Sequence, residues 1–497
     1  MRYSTAFDSQ DREEFPQDAK AHFSVAMSAA IDRQLRSHLL GTEGEEDLAF
    51  ALYNLSSGRS RTTALIHTVV LPGDGDRQQH GNASFNLQYF ERALDLASRD
   101  DSGIAFLHSH IGPGWQEMSH DDLVAENRIA GTALALTELP LVGLTVGTDG
   151  TWSARFWNHE SDRTYRRTWC ESVRVAGKRL QVSFDERQIP APLYQEMFRR
   201  TQAVWGQEGH AHLARLQVGI VGLGSVGMAV AETLARSGFE RVTAIDFDEI
   251  QIHNLDRLQG ATRQEIGRLK TSAARDLIER SSTAAKVTVT EVTASVVEPK
   301  GYESALDCDV LFSCVDRPRA RQILNHIAYA HLIPVIDGGI AVRFRAGRFA
   351  GAEWQLQTVG PERPCLECLE AFSAGDADTD RHGMLDDPSY MSGLPSDHPL
   401  KRNENVYPFS TNLASLEFLQ LVALAGGLTQ IDSFGVQRYH FVAGIFESDD
   451  SKQCKPTCDI ETITARGDRY FNLTGRDQTA EEARRRQIPE EPRIKTQ

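Results

Sequence analysis

At 497 residues the chain is too long for one ordinary hydrophobic core, and two or three domains are expected. A formal net charge of −16 argues against a nucleic-acid or anionic-membrane binder. No apolar run approaches the ~18 residues of a membrane span, and the opening MRYSTAFDSQDREE is not a signal peptide. The seven cysteines, four of them in two close pairs, read as reduced thiols with a metal site, which makes the cytosol the expected compartment.

Residues 1–24 are polar and expected to be flexible, and residues 24–40 carry helical periodicity. Strands follow at 48–55 and 62–71, then a helix at 85–98 with Tyr89, Phe90, Ala93, Leu94 and Ala97 on one face and Ser84 as its cap. The buried strand 104–107 runs into His108-Ser109-His110, and a loop with glycine and proline leads to a helix at 119–134. Strands at 141–146 and 151–157 close a mixed α/β domain over 25–160. A polar, Arg-rich connector spans 161–195, with a strand near 180–184. The second domain occupies 196–470, and 471–497 is a charged tail expected to be solvated.

Two histidines at i and i+2 on the end of a strand point the same way. An Asp from the next helix then completes three protein ligands for zinc, leaving a fourth position for water. A second reading of the same residues is purely local: Ser119 caps the helix, Asp122 completes a capping box, and the histidines are loop residues. The stretch resembles the JAB/MPN (JAMM) metallopeptidases, whose pattern is an upstream Glu, then H-[ST]-H, then S-x-x-D. The resemblance implies that His108, His110 and Asp122 ligate zinc and that Ser119 steadies the oxyanion. It implies that the upstream Glu is the general base; Glu46 is the choice, with Glu45 beside it as the alternative. Two departures stand out. Ile111-Gly112-Pro113 replaces the usual Pro after the second His. The loop is one residue longer, so Asp121 keeps the His–Asp spacing while Asp122 keeps the Ser–Asp spacing.

The second domain opens with the apolar run 218–221, a turn on Gly222, Gly224 and Gly227, a helix at 228–236, and a strand at 242–245 that ends on Asp246. This is the layout of a nucleotide-binding crossover, and by itself it fits NAD or FAD equally well. Asn254, Arg257 and Lys270 follow, then a strand ending at Cys314-Val315-Asp316, with Arg321 in the next helix. A dinucleotide enzyme needs no such convergence. An enzyme that splits ATP between the α- and β-phosphates does, because charge builds on the departing pyrophosphate. Residues 196–460 resemble the ThiF-type adenylyltransferases, which include the ubiquitin-activating enzymes and their sulfur-carrier relatives. The resemblance implies ribose contact by Asp246, phosphate contacts by Asn254, Arg257 and Lys270, and Mg²⁺ at Asp316. The segment from Arg200 to Gly206 resembles the motif whose Arg reaches the partner subunit's ATP, which implies a homodimer.

Cys365 and Cys368, with Cys454 and Cys458, make two knuckles of a closed, four-thiolate structural zinc site, although the second pair is C-x-x-x-C where the family has C-x-x-C. The loop 373–409, where ubiquitin-type activators carry a nucleophilic cysteine, has none. Three outcomes stay open: a stop at the acyl-adenylate, an oxyester on a serine, with Ser392 first, or transfer to Cys170 after a large movement. The expected whole is a JAB/MPN-like α/β domain followed by a Rossmann-like adenylation domain. It would use ATP, Mg²⁺ and two zinc ions on a ubiquitin-like β-grasp protein, with a conjugating enzyme as a further partner. A sulfur-carrier activator with a trimming peptidase is the alternative, and a non-enzymatic scaffold the least favoured.

Overall fold

A computed structural model describes residues 22–41, 45–80, 82–161, 164–193, 195–345, 347–394, 404–427, 434–470 and 474–487. The first unit contains, in chain order, β1 (His22–Ser28), α1 (Ala29–Leu39), β2 (Leu48–Ser57), β3 (Arg61–Val70) and a small hairpin of β4 (Arg77–His80) and β5 (Asn82–Phe85). It continues through α2 (Leu87–Arg99), β6 (Gly103–Ser109), α3 (His120–Thr137), β7 (Leu141–Val146), β8 (Trp152–Ser161), β9 (Thr164–Trp169), β10 (Ser172–Ala176) and β11 (Leu180–Phe184). Nine of these strands form one mixed sheet in the order β11-β10-β1-β3-β2-β6-β7-β8-β9. One face packs on α1 around Met27, Leu35, Trp152 and Phe156. The other packs on α2 and α3 around Phe50, Phe90 and Phe106.

Three expectations are corrected here. Residues 24–40 are not one helix, because β1 pairs with β3 and β10 through Ser28, whose hydroxyl then caps α1 by accepting from Ile31 N at 3.3 Å. A short apolar run buried on both faces has no period that separates strand from helix. Residues 161–195 are more than a connector, since β9, β10 and β11 are built into the first sheet, two of them at its far edge. The flexible terminus assigned to 1–24 stops short of residue 24, which lies in β1; residues 1–21 fall outside the described residues.

The second unit begins with α4 (Arg199–Trp205), α5 (Gln207–Arg215), β12 (Gln217–Val221), α6 (Ser225–Arg236), β13 (Arg241–Ile245), α7 (Lys270–Ser281) and β14 (Thr288–Val292). Next come α8 (Pro299–Leu306), β15 (Val310–Ser313), α9 (Pro318–Ala330), β16 (Val335–Arg345) and β17 (Arg348–Val359). The rest is α10 (Ala374–Arg381), α11 (Pro388–Gly393), α12 (Tyr407–Ala425), β18 (Val436–His440), β19 (Ile445–Asp449), α13 (Ile460–Ile463) and α14 (Gln478–Gln487). The sheet order is β14-β13-β12-β15-β16-β17-β18-β19, parallel as far as β16 and antiparallel beyond it. Strand order reverses between β12 and β15, so the crevice beyond their carboxyl ends is where an open α/β sheet takes its ligand. The charged tail is also corrected in part: α14 is an ordered helix whose Arg484 pairs with Glu298.

The two units meet at the opposite, amino ends of β12 and β15. Asp309 accepts from Arg61 Nη1 at 2.7 Å, Arg174 Nη1 at 3.2 Å and Gln217 N at 2.9 Å. All three charged groups are almost wholly buried. Burial works against the Asp309 carboxylate, but Arg61 and Arg174 outweigh it and hold its pKa down at about 2. Around this ion cluster, His331 Nδ1 lies 2.7 Å from Ser56 Oγ, Arg469 Nη1 donates to Ser102 Oγ at 2.9 Å, and Ala26, Leu65, Ala176, Leu332 and Ala465 form a joint apolar patch.

Candidate functional site

The strand β6 is buried along its whole length and delivers His108 and Ser109 at its carboxyl end, with His110 just beyond. Register with β2 places His108 opposite Leu48, so residues 45–47 lie across from the H-S-H segment. His108 Nε2 and His110 Nε2 are 3.1 Å apart, and Asp122 oxygens lie 3.3 Å from the first and 3.2 Å from the second. A tetrahedral ion with bonds of about 2.0–2.1 Å has ligand–ligand edges of roughly 3.3–3.4 Å, so the donor set fits zinc. Asp122, not Asp121, completes this cluster. Ser119 and Asp122 also form the capping box of α3, with Ser119 Oγ accepting from Asp122 N at 3.1 Å and Ser119 N donating to Asp122 Oδ2 at 2.7 Å. The capping box and the His–His–Asp cluster are thus built from the same residue, with the cap fixing the carboxylate that faces the histidines, and His108 lies in β6, not in a loop.

Electrostatics follow the geometry. Burial lifts Glu46 above the ordinary carboxylate value, with His110 and His108 pulling it back. Asp122 is desolvated too, yet its contacts with both histidines hold it far below the usual range. Glu45 is exposed, whereas Glu46 is half-buried and senses both histidines and Asp122. Behind His108, Thr145 Oγ1 lies 3.3 Å from Nε2 and accepts from Arg155 Nη1 at 2.6 Å; Arg155 is in turn paired with Glu126 inside the core. No local pattern marks that support, because its members come from α3, β7 and β8.

In the second unit the three glycines have different reasons to be glycine. Gly222 has φ +91°, and a Cβ there would press on the Cys314 carbonyl. A Cβ on Gly227 would collide with the Gly222 carbonyl, so the helix packs directly on the turn. Gly224 faces open space, where a phosphate can approach the first N–H groups of α6. Asp246 fixes the turn by accepting from Leu223 N at 2.6 Å and from Asp248 N at 2.7 Å, and burial lifts its pKa despite Lys270 nearby.

One large pocket, about 1780 Å³, opens at this switch point. Gly222, Gly224, Asp246, Asn254, Arg257, Lys270 and Asp316 all line it; Gly227, Arg200 and Ser392 do not. Lys270 is nearly buried and donates to Asp248 Oδ2 at 2.7 Å. Burial works against its ammonium, but Asp246 and Asp248 outweigh it and hold the pKa above the usual lysine value. Arg257 donates to His253 O and Asp256, and Asn254 Oδ1 accepts from Gln251 N. Arg200 is exposed on α4. Ser392 is exposed on α11, its hydroxyl donating to Ser389 O at 2.9 Å, and residues 395–403 of the same loop lie outside the described residues.

Sequence reasoning named Arg321 but missed the buried acids it meets: Asp337 in the pocket lining and Glu417 behind it, beside Gly338. Arg321 donates to Gly338 O and Ala371 O and pairs with Asp337, while Glu417 is fully buried without a hydrogen-bond partner for either oxygen. Burial raises the Glu417 pKa well above the ordinary value, and Asp337 adds to the effect. Isolated acids on a helix and a strand give no motif.

The four knuckle cysteines gather to within 4.8 Å of one another. The Cys365–Cys458 sulfur separation is 3.8 Å, the edge expected for a tetrahedral ion with Zn–S bonds of about 2.3 Å. Backbone N–H groups of Cys365, Cys368 and Lys455 point at the sulfurs. Two of the remaining thiols are buried away from the pocket. Cys170 sits in the core of the first unit with its pKa raised by burial, and Cys308, also buried, is pushed up to about 12. Transfer to Cys170 would require opening that core.

The fold and pocket define an α/β nucleotide-binding unit. Residues 198–432 match the ThiF family model, and the chain carries a ThiF family domain there. It is 28% identical over 187 residues to a molybdopterin-synthase adenylyltransferase of Salmonella typhimurium, covering 37% of this chain and 72% of that protein. It is 30% identical over 193 residues to a sulfur carrier protein ThiS adenylyltransferase of Bacillus subtilis, covering 38% and 54%. A SAMP-activating enzyme E1 of Haloferax volcanii is 27% identical over 164 residues, covering 33% and 57%. Among solved structures, Escherichia coli MccB with ATP aligns with a TM-score of 0.41 and 18% identity, over 54% of this chain and 74% of that one. Among the described residues no helix is long and apolar enough to cross a membrane.

Proposed function

We propose that the chain is a two-site enzyme of a ubiquitin-like protein pathway. The ThiF domain activates the C-terminal carboxylate of a ubiquitin-like β-grasp protein. The observation that carries this is the pocket at the β12/β15 switch point, where the open face of Gly224 meets Asn254, Arg257, Lys270 and Asp316. An oxygen of the substrate carboxylate attacks the α-phosphorus of ATP, the bond to the bridging oxygen breaks, and pyrophosphate leaves. Lys270, Arg257 and Asn254 would take up the charge on that leaving group, Asp316 would hold Mg²⁺, and Asp246 the ribose. Arg200 would reach the nucleotide of a second copy in a homodimer. The names of relatives support the substrate class: one is a sulfur carrier protein adenylyltransferase and another a ubiquitin-like modifier-activating enzyme. The loop 373–409 holds no cysteine, and a serine such as Ser392 is a poor nucleophile without an activating base, so we take the reaction to stop at the acyl-adenylate.

The first unit is proposed as a JAB/MPN-type peptidase acting on the same protein's tail or its conjugates. Zinc held by His108, His110 and Asp122 would supply a water acidic enough to hydrolyse near neutral pH. Glu46 is the group beside the histidines able to carry a proton to the leaving amine. Ser119 Oγ accepts from Asp122 N and keeps its own proton for the oxyanion. The four cysteines would hold a structural zinc that pins the segments near 365 and 454 together.

ATP–pyrophosphate exchange in the presence of the cognate ubiquitin-like protein tests the first half; exchange that survives Asp316→Ala would sink it. Cleavage of a tail-extended precursor tests the second. The name of one relative, a sulfur carrier protein adenylyltransferase, also favours a sulfur-carrier role. Trapping the product separates the two readings: a thiocarboxylate marks sulfur transfer, an isopeptide bond marks conjugation.

A further inference from the structure

The segment 474–487 lies beyond the residues that match the ThiF model, yet it closes one side of the nucleotide pocket. Arg476, Asp477, Thr479 and Arg485 line the cavity directly. The segment is tied to the pocket rim at five points. Gly475 N donates to Val297 O at 2.9 Å. Arg484 donates to both Glu298 oxygens, at 2.8 and 2.5 Å. Gln487 Nε2 donates to Phe247 O at 3.2 Å, within the Asp246–Asp248 turn. Arg319 Nη1 donates to Arg476 O at 2.9 Å, and Thr479 Oγ1 donates to Asp386 Oδ1 at 3.1 Å.

Along the sheet order β14-β13-β12-β15 the lining changes: the glycine turn follows β12, Asp246–Asp248 with their partner Lys270 follow β13, and Ala294, Val296 and Val297 follow β14. Ile245, Phe247 and these last three make the β14 end the more apolar one, and Gly475, Arg484 and Gln487 are tied to Val297, Glu298 and Phe247 there. A nucleotide whose phosphates lie at the glycine turn must put its base and sugar at the apolar end. We propose that residues 474–487 form the wall that holds the nucleoside end of the bound nucleotide, a binding element added to the ThiF domain by the C-terminal segment. The inference rests on the ATP reading proposed above.

Calorimetric titration of the full chain with MgATP, with AMP and with inorganic triphosphate tests it, comparing wild type, Arg484→Glu, the charge swap Glu298→Arg/Arg484→Glu, and Lys270→Ala. Arg484→Glu should weaken ATP and AMP about tenfold while leaving triphosphate nearly unchanged, and the swap should restore most of the loss. Lys270→Ala should show the reverse selectivity, weakening triphosphate and sparing AMP. Unchanged AMP affinity in Arg484→Glu, or an equal loss for triphosphate, would overturn the wall and leave the ATP reading standing. Failure of wild type to bind ATP at all would overturn both.

Discussion

The two candidate sites are built in opposite ways. In the first unit, three side chains converge, with contacts of 3.1–3.3 Å, from a stretch of only 15 residues, His108 to Asp122, on a buried strand and the helix that follows it. In the second, the pocket draws on residues from Gly222 to Arg485, and its cations are already engaged: Lys270 with Asp248, and Arg257 with His253 O and Asp256. A metal site must be preassembled, since bond lengths tolerate only about ±0.2 Å. A nucleotide site can be held by internal carboxylates until a phosphate competes for the same ammonium and guanidinium. The first should therefore fail completely when one ligand is lost, and the second by degrees.

His108→Ala gives the largest effect. Zinc measured by atomic absorption should fall by one equivalent per chain, from two to one, and cleavage of a tail-extended precursor should drop to background while ATP–pyrophosphate exchange persists. Exchange lost together with cleavage would break the comparison. Next is the junction that joins the two units. Asp309→Asn leaves Arg61 and Arg174 buried without their counter-charge, which should destabilise the chain by about 3–5 kcal/mol in urea unfolding. The Asp309 pKa is depressed in the fold, so its stabilisation is present above the ordinary value near 4 and is lost as pH falls through about 2; the variant should lack that acid-side slope. Lys270→Ala should slow exchange by about 10²–10³-fold, the usual loss for one preorganised charge-stabilising donor. The smallest effect concerns Glu417, buried behind the pocket-lining Gly338. Glu417 has a raised pKa, so the folded state keeps a proton that the unfolded chain releases above about pH 4–5, and its contribution to stability declines as pH rises. Glu417→Gln should match wild type near pH 4 and be more stable by about 1 kcal/mol or more at pH 8 in parallel denaturation curves.

What could be read from the sequence was local. The strand–turn–helix of β12 and α6, with Asp246 after β13, and the H-S-H segment at the end of β6 all depend on residues a few positions apart. The knuckles were legible because cysteine pairs are rare enough to be read across 90 residues. β1 was not, since an apolar run flanked on both sides by other strands shows no alternation. The role of 161–195 was hidden because the pairing of β10 with β1 joins positions about 150 residues apart. The acids beside Arg321, Asp337 and Glu417, and the α14 wall were invisible for the same reason: each residue alone looks like a surface charge, and only the fold brings it inside or onto the pocket.

The junction at the amino ends of β12 and β15 has a consequence for traffic. From it, the metal-ligand cluster lies at the far end of β6, six residues or about 20 Å from Ser102. The nucleotide pocket lies at the far end of α9, 13 residues or about 20 Å from the His331 contact. Under the two-site function proposed above, each site stands about 20 Å from the junction that joins the units, so a tail trimmed at the metal-ligand cluster would have to leave it before the pocket could take the freed carboxylate.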